Sequence, residues 1–160
     1  MNKSLLFCVA RWAAAALAVV LLVTMLSSDP LSDTPPEEME QAVTSVLELS
    51  MMQKADNQMI RRLYGLNPAD YEACVLYYPL TNMEAEELLL VKLKDAAQGE
   101  AVREAVETRL QTQKDSFEGY GISQFDLLTN HSVCRVSGNY VLFVVNEASD
   151  AVLQAFLGAL

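Results

Sequence analysis

Lys92 is the residue of this sequence whose placement most favours catalytic chemistry. On a strand it would share one face with Leu88 and Leu90, and a lysine on an apolar face is the type that proton transfer and covalent catalysis use. Glu86 and Glu87 lie a few residues before it. The more common arrangement is a strand-end lysine that reaches solvent and pairs with a surface carboxylate, and we expect that structural role.

Arg109 and Gln113 form a second candidate site. They are one turn apart on a predicted helix, so they could jointly hold a carboxylate or another anion. The alternative is a helix face that hydrogen-bonds to the sheet or to the following loop, where Tyr120 lies. Lys92, Arg109, Gln113 and Tyr120 are therefore the candidate binding residues, and no residue is predicted to be catalytic.

The single histidine and the cysteines provide no recognisable motif. His131 as a general base would need a nucleophile and an orienting carboxylate. Ser132 and Asp126 are near in sequence, but no motif such as G-x-S-x-G surrounds them. With no C-x-x-C pair, the sequence predicts no metal site and no cofactor. Cys74 and Cys134 fall in predicted strands, where a disulfide and two buried free thiols are the alternatives; the free thiols are favoured.

Four tyrosines lie in or beside the predicted strands: Tyr71, Tyr77, Tyr78 and Tyr140. Tyrosines clustered on a sheet can form a recognition surface. More often they are core or edge residues with one polar end in water, and we expect the latter.

The charge distribution separates the N-terminus from the rest of the chain. All 21 acidic residues lie from Asp29 onward, and the net charge of the whole chain is −10. Such a domain is soluble and repels phosphate backbones, so a nucleic-acid partner is excluded.

The N-terminus predicts a membrane anchor. Residues 13–26 carry no charge, and the apolar stretch extends back over 5–26 with only Arg11 interrupting it. This length is sufficient to span a bilayer. Lys3 and Arg11 precede the span, which places the N-terminus in the cytoplasm and the domain outside.

A cleaved signal peptide is the alternative to an anchor. Met25 and Leu26 would occupy the third position before the candidate cleavage sites, where a small residue is needed, and this favours the uncleaved helix. We therefore divide the chain into a membrane anchor over 1–28, a polar linker over 29–36 and an extracytoplasmic domain over 37–160.

The remaining pattern predicts an α+β fold. Helices are expected over 35–49 (with Thr34 and Glu37 as a capping box), from Asp56 to Gly65, and over 98–118, 122–129 and 148–158. Strands are expected over 71–78, 133–136 and 140–146, the last two joined by a Gly-Asn turn. Residues 86–94 suit either a helix or a strand.

The strands are apolar on both faces, whereas a sheet with one exposed face alternates. Either helices cover both faces or a partner covers one, and five helices are enough to cover both. We predict a single domain with a mainly antiparallel sheet of about four strands, packed by helices and preceded by one transmembrane helix.

The order of the segments resembles a known family. LYGLN, YEACVLYY, AEELLLVKLKD, REAVETRLQTQKDSFEGYG and SGNYVLFVVNEASDAVLQAF occur in succession. They are similar to an uncharacterised bacterial family of short lipoproteins or membrane-anchored proteins, a domain-of-unknown-function family. The resemblance covers about 35–158 and implies that 86–94 is a strand. The chain lacks the lipoprotein cysteine of some relatives, so the helix itself would be the tether, and no catalytic residue transfers.

These observations lead to one functional expectation and two alternatives. We expect a membrane-tethered extracytoplasmic binding or scaffold module without catalysis, with a protein or cell-wall partner. The first alternative is a cell-envelope enzyme that uses Lys92 or His131. The second is an assembly factor for a membrane complex, motivated by Arg11 within the apolar stretch.

Overall fold

The computed structural model of the protein describes residues 30–160, together with Trp12. Apart from Trp12, the predicted anchor over 1–28 and its membrane-contacting stretch 5–26 lie outside the described residues. Within residues 30–160, none of the helices combines the length and the apolar character needed to cross a membrane. The unit Leu31–Leu160 contains the predicted α+β domain.

The centre of the domain is one antiparallel sheet. Its strands are β1 (Met52–Lys54), β2 (Ala73–Pro79), β3 (Glu87–Lys92), β4 (Ser132–Ser137) and β5 (Tyr140–Val145). Their order across the sheet is β1-β2-β3-β5-β4, and every neighbouring pair is antiparallel. The prediction of about four strands was one strand short. β1 has only three residues, too few to carry a two-residue hydrophobic period.

Within residues 30–160, five α-helices accompany the sheet: α1 (Pro36–Thr44), α2 (Asn57–Tyr64), α3 (Gly99–Phe117), α4 (Ile122–Asn130) and α5 (Ser149–Ala159), with 3₁₀ turns at Pro68–Asp70 and Ala96–Gln98. Residues 86–94 contain a strand, as the resemblance implied. The predicted helix over 35–49 ends early, at Thr44, because the chain then turns to reach β1.

Helices cover both faces of the sheet, which confirms the interpretation of the two-sided apolar strands. Because side chains alternate along a strand, Leu89 and Val91 of β3 face α2, α3 and α4. Leu88 and Leu90 face α1 and α5. Every residue of β3 and β5 is buried. Burial of each leucine contributes about 1.5–3 kcal/mol of transfer free energy.

Residues of the predicted linker are hydrogen-bonded to the end of the domain. The Ser32 amide donates to Asn139 Oδ1 at 2.8 Å, and Asn139 Nδ2 donates to the Ser32 carbonyl at 3.1 Å. The hydroxyls of Ser32 and Thr34 donate to the carbonyls of Leu160 and Ala159. The chain therefore joins the domain beside the β4–β5 turn.

These bonds replace the capping box predicted for α1. Pro35 is the N-cap of that helix, and its side chain makes no capping bond. The Thr34 hydroxyl, predicted to cap α1, instead donates to the Ala159 carbonyl at 2.6 Å. The Thr34 hydroxyl therefore bonds to a distant carbonyl and does not cap α1, contrary to the prediction from the local sequence pattern.

Candidate functional site

A fully buried carboxylate, that of Glu87, organises the side of the sheet that faces α3. Glu87 begins β3 and points the same way as Leu89, into the layer of α2, α3 and α4. Arg109 Nη2 donates to Glu87 Oε2 at 2.8 Å, and Gln113 Nε2 donates to the same oxygen at 2.9 Å. Arg109 and Gln113 do hold a carboxylate jointly, and that carboxylate belongs to the chain itself.

Tyr64 completes the hydrogen bonding of Glu87. Its hydroxyl donates to Glu87 Oε1 at 2.5 Å. Helix α2 fixes this hydroxyl: Asp56 caps its start by accepting from the Met59 amide, and Gly65 ends it at φ 69°, a left-handed conformation that glycine adopts readily. Burial, followed by the negative charge and hydrogen bond of Glu87, raises the pKa of Tyr64 well above its usual value, so Tyr64 remains a donor.

The same arrangement fixes the orientation of the Gln113 amide. Because the Glu87 carboxylate accepts hydrogen bonds, it selects the NH₂ end of Gln113, and Oε1 must point away. That Oε1 is buried and has no partner among the described residues, and the whole Gln113 side chain is well shielded, with only 5% of the residue exposed. A buried acceptor without a donor costs about 1–3 kcal/mol, so this atom marks a place where a donor is missing.

The Arg109 groove is a cavity that Arg109 and Gln113 line, whereas Glu87 and Tyr64 do not. It has a volume of about 410 Å³ between α2, the chain after β2, and α3. Its polar lining includes Arg62, Glu84, Arg109, Gln113 and Ser116, and its apolar lining includes Met59, Leu63, Leu80 and Phe117. Such a mixture of apolar walls and a few polar groups is typical of ligand sites.

Arg109 serves both the buried cluster and the groove. Its Nε and Nη2 contact Glu87, its guanidinium also interacts with the Tyr64 hydroxyl, and the same side chain lines the groove. Burial alone would lower the pKa of Arg109, but the hydrogen bonds and charge of Glu87 outweigh it and the pKa is raised. Glu84 Oε2, also on the groove, is a second buried acceptor without a partner in the described part of the chain.

A second, smaller cavity of about 260 Å³ adjoins the loop before β3. Glu84, Glu86 and Glu147 line it, together with the polar side chains of Ser123 and Gln124. Burial and the charges of Glu84 and Glu147 raise the pKa of Glu86. Among the residues that the structure describes, no group of His, Cys, Asp or Glu has an arrangement that could hold a metal ion.

Lys92 lies on the opposite face of the sheet from Glu87, so the two do not form the cluster that their nearness in sequence indicated. Lys92 Nζ donates to the Thr34 carbonyl at 3.1 Å and pairs with the Glu72 carboxylate at 3.0 Å. It also lies 5.6 Å from the centre of the Tyr140 ring. The carboxylate partner agrees with expectation, but the ammonium is buried because the segment around Thr34 covers it.

Of the other candidate residues, Tyr78 lines the groove, whereas Tyr120 and His131 lie apart from it. Tyr120 is 69% exposed and its ring contacts Phe117, without lining either cavity. His131 is half-buried just before β4 and also lines neither cavity. The tyrosines do not gather on one recognition surface, the alternative that the sequence disfavoured: Tyr71 and Tyr78 pack on one side of the sheet, and Tyr77 and Tyr140 on the other.

Cys74 and Cys134 are free thiols, as favoured, but they are not both buried: Cys74 is half-buried and Cys134 is exposed. They lie on β2 and β4, with β3 and β5 between them. Three strand spacings separate them by roughly 14 Å, far beyond the approximately 7 Å limit between the Cα atoms of a disulfide.

Three residues of the site escaped the sequence interpretation: Tyr64 of the buried cluster, and Arg62 and Glu84 of the groove. The first two lie on a predicted helix, where a tyrosine and an arginine are unremarkable. Glu84 precedes β3 in a loop, and nothing in its neighbours distinguishes it from other surface acids. One available signal was Glu87 itself, a carboxylate at the start of an apolar strand that is buried on both faces.

Comparison with known proteins identifies one match. The family described as Domain of unknown function (DUF4358) matches residues 45–146, a range that contains β1 to β5 and all the groove residues. No curated protein and no solved structure matches the chain. Since the match covers more than half of the sequence, the chain belongs to the DUF4358 family.

Proposed function

We propose that this protein is a non-catalytic binding module, held outside the cytoplasm of a bacterium by an N-terminal membrane helix, and that its ligand occupies the Arg109 groove. The tether and its orientation rest on the sequence: Lys3 and Arg11 precede the uncharged residues 13–26, and the acidic domain follows. Of the four candidate binding residues, Arg109 and Gln113 line the groove, whereas Lys92 and Tyr120 do not.

The unpartnered Oε1 of Gln113 is the observation that carries the binding role. In folded proteins nearly all buried polar atoms have a hydrogen-bond partner, and an exception calls for an explanation. Here the exception lies at the wall of a cavity large enough for a small molecule. Because Oε1 itself is sealed from solvent, a ligand in the groove has to displace its cover, and by donating to Oε1 it would supply the missing hydrogen bond.

Blocking the groove provides the test. Ser116 lines the groove on α3, and its hydroxyl only returns a bond to the Thr112 carbonyl. Ser116→Trp therefore fills the groove without removing a tertiary contact. Thr108→Trp is the matched control, because Thr108 is exposed on the same helix and makes the same kind of bond, to the Glu104 carbonyl, but does not line the groove.

Saturation-transfer NMR on the full chain would be recorded with four probe sets: dipeptides, monosaccharides including uronic acids, nucleotides and inorganic phosphate. We expect at least one set to bind the native chain and Thr108→Trp and to lose binding to Ser116→Trp. If no probe distinguishes Ser116→Trp from Thr108→Trp, the groove is not a binding site and the proposed function is wrong.

A further inference from the structure

The polar groups of the Arg109 groove specify the chemistry of a ligand. Two of them are cationic side chains: Arg62, which is exposed, and Arg109, whose guanidinium also holds Glu87. A guanidinium binds carboxylates and phosphates through paired, charge-assisted hydrogen bonds. This part of the groove therefore requires an anionic acceptor.

Two other groups in the groove require donors. Gln113 Oε1 and Glu84 Oε2 are both buried, and neither has a partner in residues 30–160. A neutral N–H satisfies the amide oxygen of Gln113. The Glu84 carboxylate gains more from a cationic donor, because a charge-assisted hydrogen bond is roughly twice as strong as a neutral one.

The charges that line the groove restrict the chemical classes of ligand that fit it. Glu87 neutralises Arg109, and the charges of Arg62 and Glu84 have opposite signs. A phosphate or sulfate would leave both buried acceptors without donors, and a simple amine would leave Arg62 without an acceptor in the groove. A ligand that carries both an anionic and a cationic end satisfies all four groups.

We infer that the ligand of the Arg109 groove is a zwitterion that carries a carboxylate and an ammonium group, namely a free amino acid or a short peptide. This inference rests on the proposed function, since it names the ligand class of the same groove. The carboxylate binds Arg62 and Arg109, and the ammonium and amide N–H groups donate to Glu84 and Gln113. Met59, Leu63 and Phe117 provide an apolar wall for a side chain.

The test uses three forms of one mixed dipeptide library with the full chain: free termini, C-terminal amide and N-acetylated. Free amino acids form a separate arm. We expect the library with free termini to bind, and its affinity to fall by about tenfold on amidation or acetylation, the scale of one lost charge-assisted hydrogen bond. Equal binding of the three forms would overturn the inference.

Variants of two neighbouring arginines of α2 distinguish loss of a groove contact from loss of net charge, because both remove one positive charge but only one of them changes the groove. Arg62→Gln should lower the affinity for free dipeptides by about tenfold and leave that for the amides unchanged. Arg61→Gln removes the same charge, but Arg61 binds Asn67 and does not line the groove, so it should have no effect.

The outcomes distinguish the two proposals. If uronic acids, nucleotides or phosphate bind in a manner that Ser116→Trp abolishes while dipeptides and amino acids do not bind, the zwitterion inference fails and the binding module stands. If Ser116→Trp affects no probe at all, the proposed function fails, and the zwitterion inference fails with it.

Discussion

Breaking the Glu87–Arg109 pair should destabilise the domain strongly, and the effects of the two single variants should not add up in the double variant. The side chain of Glu87 is 0% exposed and that of Arg109 is 16% exposed, so solvent screens the pair weakly. Removal of one member of such a pair leaves a charge in a poorly solvated site. We therefore expect Glu87→Gln to cost about 3 kcal/mol of unfolding free energy, and Arg109→Met about 3–5 kcal/mol.

Glu87→Gln is the milder change for a structural reason. A glutamine at this position can still accept from Arg109 and can offer its amide to the Tyr64 hydroxyl. Arg109→Met instead leaves the whole carboxylate charge with only the neutral donors Tyr64 and Gln113. The double variant has no uncompensated charge, so it should cost about as much as the more harmful single variant, which gives a coupling energy of about 3 kcal/mol.

Urea unfolding followed by far-UV circular dichroism measures these differences. Fluorescence is unsuitable, because the single tryptophan, Trp12, precedes the domain. A destabilisation of 3 kcal/mol should lower the melting temperature by about 10 °C for a domain of this size. Additive single effects, with a coupling energy below about 0.5 kcal/mol, would show that Glu87 and Arg109 do not stabilise each other.

Three further predictions follow from single residues. Burial raises the pKa of Cys74 to about 12 from 9.0. The unfolded chain therefore releases the thiol proton at a lower pH than the folded chain, so the stabilisation by the protonated thiol is intact below pH 9 and is lost as the pH rises towards 12. Urea titrations should show that the unfolding free energy of Cys74→Ala falls by about 1.4 kcal/mol less per pH unit than that of the native chain in this window. Gly65→Ala places an alanine at a left-handed φ and should lower the unfolding free energy by about 1–2 kcal/mol. Gly158 lies within a helix with free space around it, so Gly158→Ala should raise the unfolding free energy by about 0.4–1 kcal/mol. Equal effects of the two variants in thermal melts would refute the backbone argument. Asn139→Ala removes the acceptor of the Ser32 amide, so that amide should exchange faster in hydrogen-exchange experiments while amides in β5 keep their protection.

Local pattern predicted most of the elements, because each helix and long strand carries its own signal. Asp56 and Gly65 delimit α2 as predicted, and the Gly138-Asn139 turn lies between β4 and β5. α1 is the exception. Its expected cap failed because the Thr34 hydroxyl binds the Ala159 carbonyl, a partner far away in sequence that no local rule includes.

The candidate site was predictable only in part. The spacing of Arg109 and Gln113 indicated joint binding of a carboxylate, but their actual partner depends on which face of β3 turns towards α3. Glu87 and Lys92 were grouped by nearness in sequence, and the two-residue period of a strand instead sends them to opposite faces. Whether Arg109 and Gln113 also bind a ligand stays a prediction.

The pairing of β3 with β5 has a consequence for how the chain folds. The other strand pairs join segments near in sequence, whereas the β3–β5 pair joins the two halves of the domain across α3 and α4. Closing that long loop costs chain entropy before the new contacts compensate for it. Pairing of β3 with β5 is therefore the step that sets the folding rate. Truncations along this central seam, such as Leu89→Ala, should therefore slow folding, whereas changes in the peripheral β1 should chiefly accelerate unfolding.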